Sequence, residues 1–217
     1  MIWRACLMVL ALSTNASAQE YLNTQTELSD NDFYRLVSCA APPKGECAKP
    51  IVKWSKPKLT IGITRMDPVY LGGKKKRAEA ALARAIQAIN SAGSAIRLER
   101  SDDDPDIPIL FIDMPARSQI ENSGYAALDG TPISAAGVRV FTKDGVILKS
   151  VILFTLGLQM RAYESAMLEE IIQGLGLLTD IGGKYYETRS IFSQSSNSRT
   201  KLGEQDIMAL GRHYPAR

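Results

Sequence analysis

The polar residues of one segment, residues 168–180, offer the best material for chemistry in this chain. Glu169 and Gln173 are four residues apart, so they share one face of a helix, and Gln173 is the expected hydrogen-bond partner if Glu169 anchors a buried network. Thr179 and Asp180 follow where that helix should end. We predict that these four residues, Glu169, Gln173, Thr179 and Asp180, form a polar binding seam.

Acid–base catalysis is one alternative for this segment, because Glu169 and Glu170 are paired carboxylates. Adjacent helix residues point about 100° apart, however, so the two glutamates should not face each other across a substrate. We therefore predict no catalytic residues, and Glu169, Glu170 and Gln173 are the candidates only if the protein is an enzyme.

Zinc coordination is the other alternative. A catalytic zinc site needs three imidazole, thiolate or carboxylate ligands and an open position. Glu169 is a usual ligand, whereas Gln173 and Thr179 offer neutral oxygens, and His213 is the only histidine. The sequence therefore predicts no metal and no cofactor. A hydrolytic triad through His213 is a weaker alternative, since a single histidine near the C-terminal end is more often a surface or helix-end residue.

The composition limits the class of protein. The chain has 217 residues, 45% hydrophobic and 23% charged, with a formal net charge of +3. These values are typical of one globular domain, and the charge is too small to indicate binding to nucleic acid or to an anionic membrane. The basic cluster at residues 74–77 is interpreted as the solvated start of a helix.

The first residues have the pattern of a secretory signal. Arg4 precedes an apolar run, residues 5–12, and small residues lead up to Ala18. This pattern predicts cleavage after Ala18 and a periplasmic or secreted protein. No other stretch is long and apolar enough to predict a transmembrane segment.

Two cysteines follow the predicted signal. Cys39 and Cys47 flank a loop that contains Pro42, Pro43 and Gly45. In an oxidising compartment they should form a disulfide, with two unpaired thiols as the alternative. We divide the chain into a signal peptide, residues 1–18, an arm with this loop, 19–48, and a single domain, 49–217.

Hydrophobic periodicity predicts a mixed α/β fold. Strands are expected at residues 59–64, 96–99, 107–112, 138–141 and 146–148, the last two joined by a hairpin at 143–145. Helices are expected between residues 73 and 93, from about 161 to 174, and from 204 to 214.

Two local features are harder to place. Pro108 should put the third strand at a sheet edge or at a bulge, because proline cannot donate to a ladder. Residues 19–32 lack a hydrophobic period, which predicts a loose arm or a peripheral helical turn near 33–37.

The order of these elements resembles a matrixin-type metzincin protease domain. Glu170 and Gly176 stand where the metzincin zinc signature has its glutamate and its glycine. Glu169, Gln173 and Thr179 stand where that signature has three histidines. The resemblance implies a twisted mixed sheet with a long backing helix, a central helix and a C-terminal helix, but without the zinc-binding histidines.

A closer resemblance is to an exported bacterial family, domain of unknown function 2927. It rests on the motif Glu169-Glu170-x-x-Gln173-x-Leu175-Gly176-Leu177, on Ser190-Ile191-Phe192, and on Leu202 with Asp206 before and in the last helix. This resemblance implies no known activity. We therefore predict an exported, non-catalytic pseudo-protease that acts as a binding or structural module, with an extended peptide or an envelope protein as its possible partner along a sheet edge. The alternative is a metal-independent or atypical hydrolase using Glu169 and Glu170.

Overall fold

The computed structural model describes residues 16–17, 21–196 and 198–216, and it contains both helices and strands. The strands are β1 (Ala16–Ser17), β2 (Tyr21–Asn23), β3 (Lys58–Met66), β4 (Arg97–Arg100), β5 (Ile107–Phe111), β6 (Ser118–Gln119), β7 (Pro132–Ile133), β8 (Ala136–Lys143), β9 (Val146–Phe154) and β10 (Asp180–Gly182). The α-helices are α1 (Asp30–Cys39), α2 (Gly73–Asn90), α3 (Tyr163–Gly174) and α4 (Glu204–His213), and 3₁₀ turns span Pro68–Tyr70 and Met160–Ala162. The predicted mixed α/β class is confirmed. The predicted signal peptide lies outside the described residues, except for Ala16–Ser17.

One mixed sheet organises the fold, with the strand order β1-β8-β9-β5-β3-β4. Strands β9, β5, β3 and β4 run parallel, whereas β8 is antiparallel to β9 and β1 is antiparallel to β8. The turn between β8 and β9 contains Asp144 and Gly145, both with positive φ (51° and 78°). Two such residues match the twist of a tight hairpin, which confirms the predicted hairpin.

The strand that contains Pro108 lies inside the sheet, so its predicted edge position is wrong. β5 pairs with β3 on one side and with β9 on the other. Its pairing with β9 begins at Ile109, one residue beyond Pro108. The N–H that Pro108 lacks therefore removes no hydrogen bond between β5 and β9. The register between β3 and β5 shifts by one residue between Ile63 and Arg65, which pair with Ile109 and Leu110.

Both faces of the sheet are covered. Ile109 and Phe111 of β5 are fully buried in the main core, which they share with residues of α2 and α3. Leu110 points to the other face and packs with Ile120 and Leu128 in a second, smaller cluster. The segment between β5 and β8, which supplies Ile120 and Leu128, therefore covers the second face, which explains why β5 is apolar throughout.

The first helix belongs to the core, so the predicted loose arm or peripheral turn near residues 33–37 is wrong. Phe33, Leu36 and Val37 are fully buried, and α1 packs against α4. The ring of Phe33 lies 5.5 Å from that of Tyr186 and 6.1 Å from that of Phe192. These partners are more than 150 positions away along the chain, so local periodicity could not identify them.

The predicted disulfide is confirmed. Cys39, the last residue of α1, is bonded to Cys47, with their Cα atoms 5.2 Å apart. Ala40 ends the helix in a left-handed conformation, and this turn directs the chain back towards the bridge. None of the helices in the described ranges combines the length and apolar character that a membrane crossing requires.

Candidate functional site

Helix α3 carries the candidate residues and is held rigidly by its neighbours. Its apolar stripe is completely covered, with Leu168, Ile171 and Ile172 each at most 1% exposed. Its C-terminal end is fixed because Trp54 Nε1 and Ser150 Oγ both donate to the carbonyl of Gly174, over 3.0 and 2.7 Å. The backbone of α3 is therefore fixed in place, and so are the positions from which the side chains on its remaining face extend.

A glycine turn brings the chain back beside α3. Gly176 has φ of +103°, and a Cβ atom there would lie 2.2 Å from the carbonyl oxygen of Val52. Only glycine fits both the left-handed conformation and this close approach. The turn leads into β10, which pairs in parallel with β2 and so places Asp180 next to the end of α3.

Three carboxyl groups converge on a cavity of about 170 Å³, which we call the acidic pocket. Glu169 and Glu170 reach it from α3, and Asp180 reaches it from β10. Its full lining is Ser134, Ala135, Ala136, Leu158, Ala166, Glu169, Glu170, Gln173, Asp180 and Gln194. Glu170 and Asp180 are only 7% and 5% exposed, whereas Glu169 is partly exposed.

Hydrogen bonding in the acidic pocket is incomplete. Gln173 Nε2 donates to Asp180 Oδ1 over 2.7 Å, so Gln173 serves Asp180 rather than Glu169, its expected partner. Oε2 of Glu170 is buried and has no hydrogen-bond partner among the described residues. A buried carboxylate oxygen without a partner is costly, so this atom is available to a ligand.

Burial makes the three acids hard to ionise. Burial and the nearby charge of Asp180 raise the pKa of Glu170 to about 8, against the opposing effect of Arg139. Burial raises the pKa of Asp180 to about 7, although the hydrogen bond from Gln173 lowers it. Burial and the charges of Asp180 and Glu170 also raise the pKa of Glu169 well above its usual value. Near neutral pH the pocket therefore holds exchangeable protons.

Three of the four seam residues meet in the acidic pocket. Glu169, Gln173 and Asp180 line it, but Thr179 does not. Thr179 is 1% exposed, and its backbone N–H donates to the carbonyl of Val37 over 3.1 Å. Glu170, a candidate only for the enzyme alternative, lines the same pocket.

His213 lies away from the acidic pocket and is not arranged as a catalytic base. It is 1% exposed, with Nδ1 3.3 Å from the Tyr34 hydroxyl and Nε2 3.1 Å from the carbonyl oxygen of Val52. These contacts place the proton on Nε2, which donates to Val52. Burial lowers the pKa of His213 to about 3, so the ring stays neutral.

The residues at the three histidine positions of the metzincin signature do not fit zinc. Thr179 does not line the pocket, and the amide nitrogen of Gln173 is committed to Asp180. In the described part of the chain, no group of three or more His, Cys, Asp or Glu side chains has an arrangement that could hold a metal ion. We therefore derive no chemistry through a metal.

No protein-family model matches the chain, and no curated protein matches its sequence. The resemblances to domain of unknown function 2927 and to the metzincins stay predictions.

The second motif of the resemblance has a structural role here. Asp206, fully buried in the first turn of α4, accepts hydrogen bonds from Ser190 Oγ (2.6 Å) and from the backbone N–H groups of Ile191 (2.9 Å) and Gly203 (2.7 Å). The motif thus ties the segment after β10 to α4.

A larger cavity of about 410 Å³, which sequence reasoning missed, adjoins this junction. Tyr185, Arg189, Arg199, Glu27 and Glu204 are among its lining residues. The Arg189 guanidinium stacks 4.3 Å from the Tyr185 ring, and Arg199 donates to backbone carbonyls. Its charges are of both signs, so this cavity favours no single ligand chemistry.

Proposed function

We propose that this protein is an exported, non-catalytic binding module that holds an extended peptide against the outer edge of β8. The observation that carries the proposal is the pairing of β1 with this edge. The backbone of Ala16–Ser17 lies antiparallel to β8, with Ala16 opposite Val140 and Ser17 opposite Arg139. The edge therefore accepts a strand, as proteins that bind peptides by strand addition do.

The position of β1 supports a link to export. Ala16–Ser17 comes just before the predicted cleavage site after Ala18, so removal of the signal would take this strand away. The outward-facing N–H and C=O groups of β8 that pair with β1 would then be unpaired. A peptide from a partner, such as an envelope protein, would pair with the same groups.

The chemistry of the pocket supports a binding role over a catalytic one. The protein has no second histidine that could act as a base, and His213 is already bonded to Tyr34 and Val52. The residues at the metzincin ligand positions do not fit zinc. What remains beside the edge strand is an acidic cavity with an unpaired carboxylate oxygen, which suits recognition.

Hydrogen exchange on the chain that starts at Gln19 tests this proposal, with a library of N-acetylated nonapeptides as the probe. Bound peptide should slow amide exchange in β8 and leave β4, the opposite edge of the sheet, unchanged. A chain that retains residues 16–18 should bind the same peptides more weakly, because β1 competes for the edge. Failure of every peptide to bind, or protection confined to elements other than β8, would overturn the proposal.

A hydrolase is the second candidate, because one observation favours it. Glu170 has a pKa raised to about 8, so it carries a proton at neutral pH and could act as a general acid beside Glu169. Both glutamates line one pocket, although adjacent helix residues were not expected to share a substrate. Turnover of peptides or glycans that disappears in Glu170→Gln would favour this candidate over the binding module.

A further inference from the structure

Among the described residues that line the acidic pocket, three side chains are acidic and none is basic. Glu169, Glu170 and Asp180 line it, and among the described residues the basic group that acts on Glu170 is Arg139 of β8. The guanidinium of Arg139 donates instead to the carbonyls of Val138 (3.1 Å) and Pro132 (2.6 Å). The free oxygen of Glu170 therefore lacks a donor among the described residues, and positively charged N–H groups are the donors that bind a carboxylate most strongly.

The size and donor set of the pocket select the kind of cation. In the described ranges, these acids do not form a group that could hold a metal ion. A volume of about 170 Å³ is also below the range typical of sites for drug-sized ligands, about 300–1,000 Å³. The end of one lysine or arginine side chain is small enough to enter and offers several donors.

The position of the pocket relative to the edge strand indicates how such a side chain would arrive. Ala136, the first residue of β8, lines the pocket together with Ser134 and Ala135. The pocket is thus continuous with the end of the edge where a peptide strand would begin or finish. Alternate side chains of an extended peptide point to the same face, so one of them can reach the pocket while the backbone stays paired.

We propose that the acidic pocket is a specificity site that takes one lysine or arginine side chain of the peptide bound along β8. This inference rests on the proposed function and adds to it the class of peptide. The ammonium or guanidinium donates to the free oxygen of Glu170 and neutralises the group formed by Glu169, Glu170 and Asp180.

Protonation couples to this binding event. The groups that face the site are Glu169 and Glu170 from α3, Asp180 from β10 and Arg139 from β8. A bound cation favours the ionised carboxylates, so binding releases protons from them. Affinity for a basic peptide should therefore rise as the pH increases from 6 to 8.5, and affinity for a neutral peptide should not.

Matched peptides test the inference by calorimetry on the chain that starts at Gln19. The probes are N-acetylated, C-amidated nonapeptides of alternating serine and valine with lysine, arginine, norleucine or glutamate at one position. The lysine and arginine peptides should bind at least about tenfold more tightly than the norleucine peptide. In Glu170→Gln and Asp180→Asn the ratio of the lysine-peptide affinity to the norleucine-peptide affinity should fall to about one. Glu164→Gln, on the same helix but paired with Arg84 at 2.7 Å, should keep the preference.

A small probe separates failure of this inference from failure of the proposed function. n-Butylammonium has the charged end of a lysine but no backbone to pair with β8. If it shifts the NMR signals of Glu170 and Asp180 in the wild type but leaves the Asp180 signal unshifted in Glu170→Gln, the pocket is a cation site even if no peptide binds along the edge. Equal affinity for the lysine and norleucine peptides overturns the inference and leaves the edge proposal standing. No response to n-butylammonium together with no lysine preference overturns it as well.

Discussion

The side-chain amide of Gln173 donates to the carboxylate of Asp180 over 2.7 Å, across the turn that ends α3. Both residues are at most 5% exposed, so neither has water as an easy substitute partner. The bond joins the helix to β10, and both of its residues line the acidic pocket. Its strength should depend on the charge of Asp180, because hydrogen bonds to ionised acceptors are stronger.

Removal of this hydrogen bond should cost more stability at high pH than at low pH. In Gln173→Met, the free energy of unfolding should fall by about 1–3 kcal/mol at pH 8.5, where Asp180 is ionised, and by less at pH 5. Urea unfolding at the two pH values measures the difference. Asp180→Asn is the control, because asparagine keeps an acceptor oxygen for Gln173 but carries no charge. In the Asp180→Asn background, the cost of Gln173→Met should depend little on pH. If Gln173→Met lowers the free energy of unfolding equally at both pH values, Gln173 does not donate to an ionised Asp180.

Stability should fall as the pH rises from 6.5 to 8.5. Burial raises the pKa of Glu170 from 4.5 to about 8, so in this range the folded protein holds a proton that the unfolded chain has lost. Unfolding therefore releases a proton and becomes easier at higher pH, by about 1.4 kcal/mol per pH unit for each proton retained. Unfolding curves of the wild type should show this slope, and Glu170→Gln should flatten it. A slope that persists unchanged in Glu170→Gln would contradict the raised pKa of Glu170. Glu164→Gln, at a partly exposed position of the same helix, serves as the control.

The imidazole of His213 should not titrate in the folded protein above pH 4.5. Its pKa is lowered to about 3 by burial and by the nearby charge of Lys53. Because the chain has a single histidine, its NMR signals need no assignment. Nitrogen chemical shifts should report a proton on Nε2 and none on Nδ1 from pH 5 to pH 8. A midpoint near 6.5 would show that the ring is accessible and would revive His213 as a candidate base.

Gly176 should tolerate no side chain. The left-handed φ and the 2.2 Å approach of a Cβ atom to the Val52 carbonyl should make Gly176→Val unfold more easily, by about 3 kcal/mol or more. Gly211, inside α4, is the matched control, because a Cβ atom there meets nothing within 4 Å. Gly211→Ala should raise the free energy of unfolding by about 0.5–1 kcal/mol. Similar thermal midpoints for the two variants would refute the close approach.

The Cys39–Cys47 bridge should stabilise the protein by about 2–3 kcal/mol in the chain-entropy model, since the loop it closes is short. The double variant Cys39→Ser, Cys47→Ser should lose this amount in urea unfolding. Denatured, unreduced protein purified after export should show no thiol that reacts with an alkylating agent. Two reactive thiols in that sample would mean that the bridge does not form in the native compartment.

Local sequence was sufficient for the elements whose signals are local. The hairpin was predictable because Asp144 and Gly145 tolerate the positive φ that a two-residue turn requires. Helix α2 and the core of α3 were predictable because their apolar residues recur at helical spacing. The pairing of Cys39 with Cys47 was predictable because no other cysteine follows the predicted signal.

Only the tertiary structure decided which elements, far apart in the chain, pack against each face of a helix or strand. The sequence placed Glu169 and Gln173 on one face of α3, but it was the turn at Gly176 that brought Asp180 to Gln173 and made Glu170 part of the same pocket. The burial of Phe33 depends in the same way on rings from the C-terminal third. Periodicity shows which side of an element is apolar, whereas the identity of its neighbour depends on contacts between residues far apart in the chain.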